Sequence, residues 1–413
     1  MRGRGPRTNG DGPDTRLTAH PEPVFAGAGP GALAEAVPGS SRLGLYVHVP
    51  FCAERCPFCS FNTAPLAAGA VPRYLAALGR ELELLAALAW AGDVRLATVF
   101  FGGGTPSLLT GDELAAVMAR LAARLPLLPG AEVTVECNPE SVTRETLAAY
   151  RAAGVNRLSL GVQALDDAVL ARLGRRHTSA GARAAFEAAR AAGFDNVSVD
   201  LMYGVPGLEV AAWTATVAAV LAWKPDHLSA YGLALDAGSV WGAAGVEGLP
   251  PEADVVAQYW VLAAAAARAG LEHYEISNYA RPGFRSRHNE TYWRAEEYLA
   301  AGPGACGFVG DFRYANVRAV PRYAAALEAG ALPVDTGERL DRRQRLAERL
   351  FLGLRTSDGV PGAWLQERVA GDAALARRVD TWREAGLVVV TPERVRLTEA
   401  GFLVSDALFV ELL

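Results

Sequence analysis

Six short β-branched runs, LGLYVHV, LATVFFG, EVTVEC, RLSLGV, NVSVDL and HLSAYGL, alternate from Leu43 onward with long Ala/Leu/Arg stretches. Strand-length runs separated by helix-length segments are what parallel strands with crossover helices require, so this alternation predicts an α/β fold with a parallel sheet. A faint repeat supports it. RAAGVNRLSLG at Arg151 returns as RAAGFDNVSVD at Arg190, with a looser copy, RAGLEHYEIS, at Arg268. Each copy reads as a helix end, a glycine just past the last helical residue, and a strand. Six units without a convincing seventh and eighth point to an open, partial (β/α)6 barrel rather than a closed eight-stranded one.

The flanks differ in character. Residues 1–41 are rich in Gly, Pro, Ala and Arg without apolar periodicity, and read as a disordered tail. Residues 42–335 form the barrel and its extension, and 336–413 a small winged-helix-like domain whose wing turns at Pro392 and Glu393. That domain lacks a basic recognition face, which favours a packing or lid role over DNA binding. The formal net charge of −5 likewise argues against a nucleic-acid partner. No apolar run is long enough to span a bilayer and the first thirty residues lack a signal-peptide core, so a cytoplasmic protein is expected. Lys224 is the only lysine. It precedes Pro225 and stands in neither a P-loop nor a Schiff-base setting, which removes P-loop NTPases and pyridoxal enzymes.

Five cysteines is an odd number, and three fall within YVHVPFCAERCPFCSFN as Cys52, Cys56 and Cys59. Thiolates spaced C-x3-C-x2-C on one loop can hold three irons of a cubane cluster and leave the fourth open to substrate. Two other readings stay open at this point: a redox pair at Cys56 and Cys59, and a zinc site with His48 as fourth ligand. Polar residues at successive strand ends favour the cluster, because that is where a (β/α) barrel places its active site. They are Gly102-Gly103-Gly104-Thr105 after the second run, Glu136 and Asn138 after the third, Gln163 after the fourth and Asp200 after the fifth.

Over residues 43–413 these motifs, with LGVQALDDAVLARLGRRH, VDLMYGVPG, YEISNYA and RHNETYW, resemble the radical SAM superfamily. Within it they are similar to the group that holds oxygen-independent coproporphyrinogen III oxidases and HemW-type heme chaperones. The resemblance implies a radical SAM barrel with a [4Fe-4S] cluster on Cys52, Cys56 and Cys59, and S-adenosylmethionine (SAM) chelated to the open iron. It implies SAM contacts from Tyr46, Phe58, Gly103, Gly104, Thr105, Glu136, Gln163, Arg175, Asp200 and Ala234. Arg175 is preferred to Arg176 because it keeps the family's twelve-residue step from Gln163. An oxidase would carry a fourth cysteine just after the cluster motif, where this chain has Ser60-Phe61-Asn62. That departure and the HNxxYW signature at His288, Asn289, Tyr292 and Trp293 resemble the chaperone branch. The expected function is therefore heme delivery to recipient hemoproteins, with His288 as heme ligand. The alternative is oxidative decarboxylation of coproporphyrinogen III in porphyrin biosynthesis. A homodimer and peripheral membrane association through client proteins belong to the same expectation. Where relatives have histidine this chain has Cys306, a thiolate alternative for heme iron.

Overall fold

The computed structural model describes residues 31–412. The first thirty residues of the expected tail lie outside that range. Its remainder does not behave as a tail: Leu33 and Ala36 are buried in the main core, and the Glu297 carboxylate accepts the backbone N–H groups of Gly39 and Ser40. A buried leucine on a helical turn (Ala32–Glu35), together with the bonds to Glu297, anchors a segment whose average composition reads as disordered.

The six runs form six parallel strands in chain order: β1 (Arg42–Val49), β2 (Arg95–Gly103), β3 (Leu127–Cys137), β4 (Arg157–Gln163), β5 (Val197–Tyr203) and β6 (His227–Gly232). Helices Ala70–Ala86, Gly111–Arg124, Arg144–Ala152, Ser179–Ala191 and Val210–Ala222 make the crossovers. The repeat is read correctly where it is strongest, since Gly154 and Gly193 follow their helices with φ of 100° and 86°.

The sheet does not stop at six strands. Its order continues with β7 (Glu272–Glu275), β8 (Asn278–Ala280), β9 (Tyr298–Ala301), β10 (Cys306–Val309), β11 (Phe312–Asn316) and β12 (Val334–Arg339), giving β12-β11-β10-β9-β1-β2-β3-β4-β5-β6-β8-β7. Strand β9 joins β1 in parallel, and the other added strands pair antiparallel. The third repeat copy thus ends in an antiparallel edge strand rather than another parallel unit. Because β12 runs through Asp335, the expected domain boundary moves to about residue 340.

Beyond it, a separate apolar core including Leu350, Leu365, Trp382 and Phe402 is enclosed by short helices and a three-stranded sheet (Val360–Pro361, Val388–Val390, Arg394–Leu397). The wing turns at Thr391–Glu393, closed by Thr391 N–H on the Arg394 carbonyl at 2.9 Å. This unit docks on the β7–β8 edge: Ser357 N–H bonds the Tyr274 carbonyl at 2.9 Å, and Tyr259 donates to the Glu399 carbonyl at 3.0 Å. An edge covered in this way offers no free strand for aggregation. None of its residues lines the cavities described below, so packing, not a lid, is its observed role.

Candidate functional site

The loop after β1 projects Cys52, Cys56 and Cys59, all free and partly buried, toward a cavity of about 490 Å³ at the C-terminal ends of the parallel strands. The loop is pinned on several sides. Phe51–Cys52 pairs with Ala64–Pro65, Cys59 N–H bonds the Cys56 carbonyl at 3.1 Å, and Arg55 reaches the carbonyls of Cys59 and Gly238. The glycine turn after β2 lies against it: Gly104 N–H donates to Val49 O and Thr105 N–H to Phe51 O, both at 2.8 Å, and the Thr105 hydroxyl approaches Cys52 Sγ at 3.7 Å. A Cβ on Gly104 would fall 2.6 Å from the Phe51 carbonyl oxygen, so only glycine permits this approach.

Phe58, Gly103, Gly104, Thr105, Glu136, Gln163, Arg175 and Asp200 line the same cavity. Gln163 sits in the left-handed region at φ 66°, a strain that surrounding structure must enforce. Arg175, not Arg176, is the buried one: its guanidinium donates to Asn138 Oδ1 at 2.7 Å and Gly161 O at 3.0 Å, and lies 3.8 Å from Cys56 Sγ. Asp200 accepts from the Ser159 hydroxyl (2.8 Å) and the Ser198 hydroxyl (3.1 Å), and burial raises its pKa. Glu136 accepts Gly103 N–H at 3.2 Å; burial, then the nearby Asp200 charge, push its carboxyl up to about 7. Burial also raises the Cys52 and Cys59 thiols, a cost that a metal centre would reverse by holding them as thiolates.

Three expected residues are not in this cavity. Tyr46 lines an adjoining chamber one layer down, Ala234 is exposed on the loop past β6, and His288 is fully buried in that lower chamber. His288 opens helix Arg287–Trp293 with its backbone N–H on Glu132, and its two ring nitrogens lie 2.7 Å from the Thr98 hydroxyl and 2.8 Å from the Tyr292 hydroxyl. Burial depresses its pKa to about 3, so the ring is neutral. Cys306 is exposed at the start of β10, outside both cavities.

His48 is committed elsewhere. Its Nε2 lies 2.8 Å from the Asn62 carbonyl, which can only accept, so the proton is on Nε2; burial lowers the pKa, and Nδ1 takes the Tyr46 hydroxyl at 2.9 Å. With both nitrogens used, the zinc reading loses its fourth ligand. Motif reading missed this role for His48, and it missed Ser159 and Arg157. A signal for Ser159 and Arg157 was present, because RLSLGVQ alternates polar and apolar residues and so turns Arg157, Ser159 and Gln163 to one face.

Residues 46–219 match the radical SAM superfamily and residues 340–404 the HemN C-terminal domain. Over 378 residues the chain is 40% identical to the heme chaperone HemW of Mycobacterium tuberculosis strain H37Rv, spanning 90% of this chain and 94% of the relative. The chain belongs to the HemW family of radical SAM proteins. Heme chaperone HemW of Bacillus subtilis strain 168 is 34% identical over 88% of this chain and 97% of its own. The HemW-family chain also superposes on the coproporphyrinogen III oxidase HemN of Escherichia coli with a TM-score of 0.82, at 23% identity and 93% coverage of each chain. That likeness establishes a shared fold. Radical SAM membership implies a [4Fe-4S] cluster and SAM, and three free thiols on a pinned loop beside a large polar-rimmed cavity fit both. When bound, a cluster with three protein ligands supplies an open iron for SAM. Among the described residues no helix is long and apolar enough to cross a membrane.

Proposed function

We propose that this HemW-family protein binds heme at the mouth of the cluster cavity and passes it to recipient hemoproteins. In this reading Cys52, Cys56 and Cys59 hold the [4Fe-4S] cluster, and Gly103, Gly104, Thr105, Glu136, Gln163, Arg175 and Asp200 hold SAM. The observation that carries it is the lip. Phe61 and Tyr231 line the cavity yet are 66% and 44% exposed, and the neighbouring loop adds Leu235 at 41% and Val240 at 57%. The two loops are tied by Ser60 Oγ to Asp236 at 2.7 Å and Trp241 N–H to Pro57 O at 3.0 Å. Large apolar side chains held in water around a cleft suit a flat apolar ligand that must later leave.

The segment after Cys59 supports a carrier over an oxidase. Ser60 bonds Asp236, and Asn62 donates to the carbonyls of Pro303 and Arg318, so these residues brace the loop instead of supplying another thiol. Iron ligation by His288 requires release of Thr98 or Tyr292 and an outward shift of its helix. Heme titration of wild type, His288→Ala and Cys306→Ser therefore identifies the ligand through the Soret band.

The deciding experiment pairs that titration with an anaerobic assay on coproporphyrinogen III. Saturable heme binding at micromolar affinity or tighter, about 8 kcal/mol, is expected without conversion to protoporphyrinogen IX. About four irons per chain should be lost in Cys52→Ala, Cys56→Ala and Cys59→Ala. Multiple turnovers of the porphyrinogen, or no saturable heme binding, would defeat the reading.

A further inference from the structure

Beneath the cluster cavity lies a second chamber of about 220 Å³, and the two share a wall made by Glu136, Ser159, Asp200 and Tyr231. Its unusual feature is Arg157, the first residue of β4, which is 2% exposed. Arg175, also buried, leaves its Nε without a partner but donates from its terminal nitrogen to Asn138 and Gly161. Arg157 has no such bond. Its Nε is buried without a partner, and among the described residues its guanidinium makes no hydrogen bond or ion pair. A guanidinium cannot escape burial by shedding its proton. Leaving it unpaired in the interior is costly, and the remedy is an anion with planar, bidentate acceptors.

Glu136 and Asp200 line the same chamber and the Arg157 charge favours their ionised forms, but neither carboxylate is hydrogen-bonded to its guanidinium. Asp200 is occupied by the Ser159 and Ser198 hydroxyls, Glu136 receives Gly103 N–H, and Glu132 caps the helix that begins at Arg287. The remaining walls, Tyr46, Phe100, Ser229, His288, Asn289 and Tyr292, carry no further charge, since His288 is neutral. At less than half the volume of the cavity above it, the chamber suits a side arm better than a macrocycle.

We propose that the Arg157 chamber receives a carboxylate arm of the tetrapyrrole cargo, while the ring rests on the apolar lip above. This rests on the heme-carrier reading and adds to it how the cargo is oriented: Tyr231, exposed at the lip and lining both cavities, marks the path of the arm. Selectivity follows. A tetrapyrrole with free carboxylates is held, and one without them is held only by its faces.

The test compares heme with its dimethyl ester, which keeps iron and macrocycle and loses the carboxylates. Wild type should bind the ester at least tenfold more weakly than heme. Arg157→Gln should bring the two affinities within about twofold, mainly by weakening heme, and Arg157→Lys should restore part of the preference. The comparison within wild type does not depend on any variant folding. Equal affinities in wild type, or a tenfold preference that survives Arg157→Gln, would overturn the proposal. So would a loss of SAM affinity in Arg157→Gln with heme selectivity intact, which would make Arg157 a countercharge for Asp200. Absence of saturable binding of either ligand would instead defeat the heme-carrier reading itself.

Discussion

A single carboxyl far from the cavity shows how one residue couples this structure to pH. Glu81, on helix Ala70–Ala86, is 1% exposed and accepts Gly302 N–H at 2.7 Å, Asn316 Nδ2–H at 2.6 Å and the Tyr323 hydroxyl. It therefore ties a crossover helix to the added strands on the β1 side. Burial outweighs those three donors and raises its carboxyl to about 7. In the unfolded chain the same group titrates near its ordinary value, roughly 4.3. Between these two values the folded state keeps a proton that the unfolded state releases, so stability falls as pH rises through that window, by up to roughly 3 kcal/mol. Glu81→Gln should remove this component: the Tm difference between wild type and variant should shrink from pH 4.5 to pH 7.5. Parallel Tm profiles would show that Glu81 does not titrate there.

At the scale of elements, the site depends on two loops meeting without side chains between them. Gly103, at φ 111°, would place a Cβ 2.4 Å from the His48 ring, and Gly104 would place one 2.6 Å from the Phe51 carbonyl oxygen in the cysteine loop. The obstacle at Gly104 is backbone, which cannot rotate aside, so an added methyl must push the cysteine loop away from the turn. Gly104→Ala should cost roughly 1–3 kcal/mol by overpacking and lower the iron retained per chain. Gly92→Ala is the control, since nothing lies within 4 Å of its Cβ position. Iron content and Tm unchanged in Gly104→Ala would mean that the loop accommodates the methyl. The helix-ending glycines were legible in advance because a left-handed C′ residue is a local requirement. The close approach at Gly104 was not, because it depends on another loop.

The whole molecule is a barrel closed on one edge by its own C-terminal unit. That unit has its own core, yet it packs Ile276 of the barrel against it and bonds the β7–β8 segment through Arg355 O, Ser357 N–H and Glu399. Ending the chain after Arg339 would expose an antiparallel edge together with Ile276, and such edges invite pairing between molecules. The shortened protein should show a lower Tm and a shift to higher-mass species in size-exclusion chromatography. A monodisperse product with unchanged Tm would show that the barrel needs no cover there.

The sequence by itself determined the six parallel strands, the helix-ending glycines, the cysteine loop and most of the cavity's polar rim. Each of these is encoded locally, by period-two alternation, by a positive-φ position or by a motif on one strand end. The tertiary structure alone decided which of those residues meet. It moved Tyr46 to the lower chamber, left Ala234 outside, engaged both nitrogens of His48 and of His288, and added edge strands beyond the sixth. Register is the reason. Thr134 lies beside Arg157, and Gly161 beside Asp200. Such pairings between strands distant in sequence decide which polar side chains share a layer of the interior, and why Arg157 shares a chamber with Glu136 and Asp200 without hydrogen-bonding either.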